Sequence, residues 1–135
     1  MKIVVLAVGR LRPPFSDDVQ HYRTLLGRHA RVELLEVREE ERVERRVPER
    51  AFLCLLDSRG QAFTSEELSG FLEERRHSGR DVCFVIGGPR GLDLEGVDMR
   101  LSLGPMTLTH QLARVVLLEQ LYRAHKILAR EPYHY

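Results

Sequence analysis

Two glycine-bearing stretches are the places where this backbone could approach a ligand closely: Gly87-Gly88-Pro89-Arg90-Gly91 and Leu103-Gly104-Pro105-Met106-Thr107-Leu108-Thr109. Adjacent glycines tolerate positive φ and leave room beside the main chain. The first stretch is neither G-x-G-x-x-G nor followed by Lys-Ser/Thr, so it carries no dinucleotide fingerprint and no Walker loop, and a tight turn is its alternative reading. The second leads into His110-Gln111-Leu112, where a Gly-Pro pair and hydroxyls at a helix start could bind a ligand through backbone groups; Thr109 as an ordinary N-cap is the alternative. The histidines His21, His29, His77, His110, His125 and His134 show no metal-ligand spacing with cysteine or carboxylate, and no metal is expected. Cys54 and Cys83 sit in the apolar runs AFLCLL and DVCFVIGG, where two reduced core thiols are expected and a disulfide between neighbouring strands is the alternative.

The elements that must carry these loops alternate strand and helix. KIVVLAV (Lys2–Val8), closed by Gly9, reads as a buried strand. After Pro13-Pro14, Ser16 with Asp17-Asp18 resembles a helix start, and Val19, Tyr22, Leu25 and Leu26 recur at helical spacing until Gly27. Val32–Val37 is a second strand, Arg38–Arg50 an exposed charge-dense connector with room for one short helix, and Ala51–Leu56 a third strand that ends in a turn at Asp57-Ser58-Arg59-Gly60. Thr64 and Glu67 form a capping box for a helix that stops at Gly79. Asp81–Ile86 is the strongest strand signal, Arg100–Leu103 a short fifth strand, and about His110 to Ala129 a long helix. That helix is apolar over more than one stripe, so a second surface must meet it, and a partner subunit is the economical candidate. The pattern predicts one α/β domain over residues 1–135, with a parallel sheet covered by helices and ligand loops at the carboxyl ends of the strands.

The formal net charge of +1 hides a partition. Met1–Arg31 carries six Lys/Arg against two Asp, Val32–Met99 ten Arg against sixteen acids, and Arg100–Tyr135 five Lys/Arg against two Glu. Basic ends point to a polyanionic partner, with solvated helix faces as the alternative. With 43% hydrophobic and 30% charged residues the chain is expected to fold, and no apolar run approaches the roughly 20 residues that span a bilayer. Met1–Leu11 lacks the features of a signal peptide, so no membrane association and a cytoplasmic location are expected.

FVIGGPRG, LSLGPMTLTHQLARVVLLEQLYRAHKI and the tail EPYHY, taken as an ordered set with the opening KIVVLAVGRL, resemble the RlmH family of SPOUT-class methyltransferases. The likeness covers nearly the whole chain and is densest from Asp81 to His134; Arg38–Arg50 is shorter than the family leads one to expect. It implies an α/β sheet whose C-terminal segment forms a deep trefoil knot, a homodimer, S-adenosylmethionine as cofactor, and methylation of N3 of a pseudouridine in the helix 69 loop of 23S ribosomal RNA on the assembled ribosome. Matched residue by residue, it implies cofactor contacts from Leu56, Gly87, Gly88, Leu103, Gly104, Pro105, Met106, Thr107 and Leu108. It also puts Tyr133 and His134 near the active site, where a histidine suits removal of an imide proton and a tyrosine could orient the base. His110 is a second candidate base, with a structural role as its alternative, and Arg114 and Arg123 are candidate contacts to RNA or to the partner subunit. The family usually places Lys or Arg after the Tyr-His pair, where this sequence has Tyr135; Arg90 is a candidate to supply that charge. The competing expectations are a different RNA target and a non-catalytic ribosome-binding homologue.

Overall fold

The computed structural model describes residues 1–88 and 91–135. Five strands, β1 (Lys2–Val8), β2 (Arg31–Val37), β3 (Phe52–Ala62), β4 (Val82–Ile86) and β5 (Met99–Ser102), form one sheet in the order β2-β1-β4-β3-β5, and every pairing is parallel. Helices α1 (Phe15–Leu26), α2 (Val43–Arg46), α3 (Ser65–Ser78) and α4 (His110–Leu128) connect and cover it.

The burial of the strands explains their composition. β4, at the centre, has all five residues buried, which is why it reads as an uninterrupted apolar run rather than an alternating one. Alternate residues feed two cores. Ile3, Val5, Cys54, Val82 and Phe84 meet Val19 and Leu26 of α1, Leu68 and Leu72 of α3, and Leu117, Leu118 and Leu121 of α4. Val4, Leu6, Leu53, Leu55, Cys83 and Val85 form the other core with Val43, Val37 and Leu94. Cys54 pairs in register with Phe84 and Leu53 with Cys83, so the two cysteines point to opposite faces of the sheet. Both are free thiols, which excludes the disulfide alternative, and burial pushes each up to about 12.

Local chemistry sets the ends of the helices. Thr64 and Glu67 make the reciprocal capping box, Gly79 ends α3 in the left-handed conformation, and Thr109 Oγ1 accepts from the Leu112 N–H to cap α4. α1 starts at Phe15, one residue before the expected start at Ser16, behind Pro14 and with no side-chain cap, and Asp17 and Asp18 in the first turn answer the helix dipole. The charged connector is anchored by the fully buried Val43, so it is less exposed than its composition implies.

β3 departs most from expectation. Leu56 and Gln61 both face Leu101 of β5, so Asp57–Gly60 leaves the ladder as a bulge and the strand then resumes. The excursion has the expected turn chemistry, since Asp57 Oδ1 accepts from the Arg59 N–H at 2.9 Å. Strand pairing survives it because β5 offers an edge on both sides of the bulge.

His125, on α4, is buried and donates from Nδ1 to the Leu121 carbonyl at 2.8 Å. Burial holds its pKa below the ordinary 6.5, outweighing that hydrogen bond, with His29 and Arg76 adding to the depression. The folded state therefore binds fewer protons here than the unfolded state does below that pH. Stability from this group is complete above about pH 6.5 and is lost as pH falls below it toward the folded value. The midpoint of urea unfolding should drop between pH 7 and pH 5.5 (a window about the ordinary His pKa) more for the wild type than for His125→Gln; equal drops would contradict this.

Candidate functional site

The carboxyl ends of β1, β3, β4 and β5 open into one cavity of about 770 Å³, within the range typical of small-molecule sites. Its lining includes Leu56, Gly87, Gly88, Leu103, Gly104, Met106, Thr107 and Leu108, so eight of the nine residues expected to hold the cofactor meet here. Pro105, within the same loop, does not line it. Ile86 and Leu101 add apolar wall, while Met106 is 78% exposed at the surface.

Each loop has a visible cause for its path. A Cβ on Gly87 would lie 2.9 Å from the Leu92 side chain, so only glycine lets these segments close up. The Gly91 N–H donates to the Gly88 carbonyl at 2.9 Å, and both glycines line the cavity; Pro89 and Arg90, including the charge expected from Arg90, lie outside the described residues. Ser102 Oγ accepts from the Gly104 N–H at 3.0 Å and shares its one hydrogen between Ser58 O (3.0 Å) and Gly104 O (2.9 Å). This buried hydroxyl ties the β3 bulge to the loop after β5, and sequence patterning gives no sign of it.

That loop crosses the ends of β3 and β4 and delivers His110 beside Gly9 at the end of β1. Gly9 has φ +101°, and a Cβ there would meet the imidazole at 3.0 Å. His110 lines the cavity, its Nδ1 is buried without a hydrogen-bond partner among the described residues, and burial, then Arg114 and Arg12, hold its pKa down. It is therefore neutral at neutral pH.

Arg114 lies behind the cavity wall rather than at the surface. Its side chain is 6% exposed, with Nη1 on Glu36 Oε2 and Nη2 donating to the Gly9 carbonyl at 2.6 Å. The same Glu36 oxygen accepts from the Leu11 N–H at 2.8 Å. Buried Gln111 completes the fastening, accepting from the Arg12 N–H at 2.9 Å and donating to the Arg10 carbonyl at 2.6 Å. Arg114, Gln111 and Glu36 thus fix the first turn of α4 to the segment after β1; a polar residue inside an apolar helix pattern was the available signal for Gln111.

The tail gathers elsewhere. Tyr133 donates to Glu119 Oε2 at 2.8 Å, and burial and that carboxylate push its phenol pKa up. Arg123 pairs with Glu119 at 3.0 Å, lies 4.0 Å from the centre of the Tyr133 ring and donates to Tyr135 Oη at 3.2 Å; His134 is exposed. Glu119 and Tyr122 stand nine and twelve residues after His110, roughly 14–18 Å along the helix. Within one chain neither Tyr133 nor His134 lines the cavity. Among the described residues no cluster of His, Cys, Asp and Glu is arranged to hold a metal, and no helix is long and apolar enough to cross a membrane.

Compared with known proteins, residues 1–134 match the family model described as "Predicted SPOUT methyltransferase". The chain is 40% identical over 158 aligned positions to the ribosomal RNA large subunit methyltransferase H of Acetivibrio thermocellus, covering 99% of each chain. It is 41% identical over 152 positions to that of Pelobacter propionicus and 35% over 151 to that of Thermotoga neapolitana, covering all of each chain. These alignments are longer than the 135 residues present, so the relatives carry segments absent here.

If Arg114 fastens α4 to β1, then Arg114→Met should cost about 1–3 kcal/mol, the range for hydrogen bonds to a charged group, read from urea unfolding. A change below the precision of that measurement would show the clamp to be energetically idle.

Proposed function

Because the chain belongs to the SPOUT methyltransferase family and aligns along its whole length with large-subunit ribosomal RNA methyltransferases H, we propose that it methylates N3 of a pseudouridine in the helix 69 loop of 23S ribosomal RNA. In this proposal the methyl donor is S-adenosylmethionine, the substrate is the assembled ribosome, and the enzyme is a cytoplasmic homodimer of single-domain chains. The observation that carries it is the one cavity at the carboxyl ends of the strands in which Leu56, Gly87, Gly88 and the Leu103–Leu108 loop converge.

The cavity fits the donor on its own terms. Leu56, Leu103 and Leu108 offer apolar surface for a purine ring, and the glycine turns leave main-chain groups uncovered for polar edges. S-adenosylmethionine supplies a methyl group on a positively charged sulfur. The chain's part is to orient the acceptor and take its proton: pseudouridine N3 is an imide nitrogen that becomes a nucleophile as its hydrogen leaves. Orientation contributes about 7–11 kcal/mol in favourable cases.

His134 is the proposed base and Tyr133 the residue that orients the uracil ring. Their distance from the cavity within one chain supports assembly of each site from two chains, the tail of one reaching the cavity of the other. The exposed Leu112 and Met106 and half-buried Val115 and Val116 give α4 and its preceding loop an apolar outer face for such a dimer. Arg123, which holds the tail tyrosines, is proposed to lie next to the substrate. The route from the edge strand β5 across β3 and β4 to the end of β1 supports a knotted C-terminal segment.

Ribosomes from cells lacking this gene should accept labelled methyl from S-adenosylmethionine, with the label mapping by mass to N3 of the helix 69 pseudouridine. His134→Ala should lower kcat about 10²–10⁴-fold with donor affinity unchanged. Label on another nucleotide would replace the target, and an unimpaired His134→Ala enzyme would remove that residue from the proton transfer.

A further inference from the structure

The lip of the cavity carries a charge that the chemistry above leaves unused. Arg12 lines the cavity on the segment between Gly9 and α1, close enough to His110 to lower its pKa, and its side chain is exposed. The cavity's other described arginine, Arg59, is paired with Asp57, which also binds Arg100 at 3.2 Å, and Arg100 in turn pairs with Asp93 at 3.5 Å, so two carboxylates answer two guanidinium groups on that wall. Among the described residues no carboxylate pairs with Arg12 or with exposed Arg10.

The backbone beneath these two arginines is held more firmly than a surface loop needs to be. Arg10, Leu11 and Arg12 are each fixed by a side chain from another element: Gln111 takes the Arg10 carbonyl and the Arg12 N–H, and Glu36 takes the Leu11 N–H. Gln111 is only 4% exposed and Glu36 is itself tied to buried Arg114. Polar groups this buried stay only where partners satisfy them, and their combined effect is to present an uncompensated guanidinium at a set place on the cavity mouth. A guanidinium fork matches a phosphate, and a backbone already ordered lowers the entropy lost on binding.

We propose that Arg12 grips a backbone phosphate of the substrate RNA next to the nucleotide that enters the cavity, and that Gln111 is the positioning residue that aims it. This rests on the RNA methyltransferase function proposed above. A second anion of similar chemistry is the carboxylate of the methyl donor. Phosphate is favoured because Arg12, although it lines the cavity, is exposed to solvent on the segment leading into α1, where a large polyanion can reach it.

The test compares Arg12→Ala and Arg12→Lys with the wild-type dimer in three assays: donor affinity by calorimetry, steady-state methylation of unmodified ribosomes, and ribosome binding across a salt series. Arg12→Ala should raise KM for ribosomes about tenfold or more, leave kcat and donor affinity within about twofold, and reduce the salt slope by roughly 0.7–0.9. Arg12→Lys should recover the salt slope, because it keeps the charge. Gln111→Ala, checked for unaltered thermal unfolding, should raise KM in the same direction while leaving the salt slope near that of the wild type. Weakened donor binding with unchanged ribosome KM would overturn the proposal in favour of the donor carboxylate, and no change in either would overturn it outright. Arg12-dependent, salt-sensitive ribosome binding by a wild type that transfers no methyl would support the clamp and sink the proposed function.

Discussion

The buried guanidinium of Arg114 is the contact on which the arrangement of the site depends. α4 begins after a loop that leaves the far edge of the sheet and must end beside β1, and loop closure of that kind needs an attraction at its landing point. Arg114 provides it by binding the last carbonyl of the β1 turn, Gly9, and a carboxylate of β2, Glu36. A buried cation is tolerated only when paired and hydrogen-bonded, so the position of the first turn of α4 is dictated as strongly as that of a strand. One nitrogen, Nε, has no partner among the described residues. Once that turn is placed, the Leu103–Leu108 loop has nowhere to run except over the ends of β3 and β4, and the cavity follows.

The same contact sets the cavity and the tail apart. α4 starts at the cavity and carries the tail away from it, and Tyr133, Arg123 and Glu119 then hold the tail against the outer face of the helix. Within a single chain so built, the cavity stands apart from Tyr133 and His134, the residues proposed to act on the substrate. Two chains related by a twofold axis can supply each other with what each lacks, because an isologous contact makes every such exchange reciprocal. In the proposed dimer the apolar residues left on the outside of α4 would form the interface.

Much of the architecture was legible in the amino-acid sequence, for reasons that are local. A capping box, a left-handed glycine stop and a run of five buried strand residues each depend on neighbours within a few positions, and Thr64–Glu67, Gly79 and Val82–Ile86 were found where the pattern put them. The glycines after β4 and β5 marked the cavity loops but equally allowed a tight turn and an ordinary N-cap, and it was family likeness that singled the loops out as ligand-binding. What stayed hidden depends on partners distant in sequence. The β3 strand resumes after Asp57–Gly60 only because β5 lies alongside, Ser102 acquires its three partners only after that pairing, and Arg114 looks like any helix arginine until Glu36, 78 residues away, is brought beneath it. The tail was placed near the active site by family likeness alone, and in one chain it packs instead on α4.

The central claim, that one chain's cavity works with the other chain's tail, is tested most directly by mixing two inactive variants. A Thr107→Trp chain, its cavity filled and donor binding lost, is combined with a His134→Ala chain, the pair is unfolded and refolded together, and methyl transfer to unmodified ribosomes is measured. Random pairing makes half the dimers mixed, each with one intact site, so recovery of about one quarter of the wild-type rate is predicted. Activity no greater than the sum of the two separate variants would mean that cavity and tail belong to the same chain, and would contradict the account.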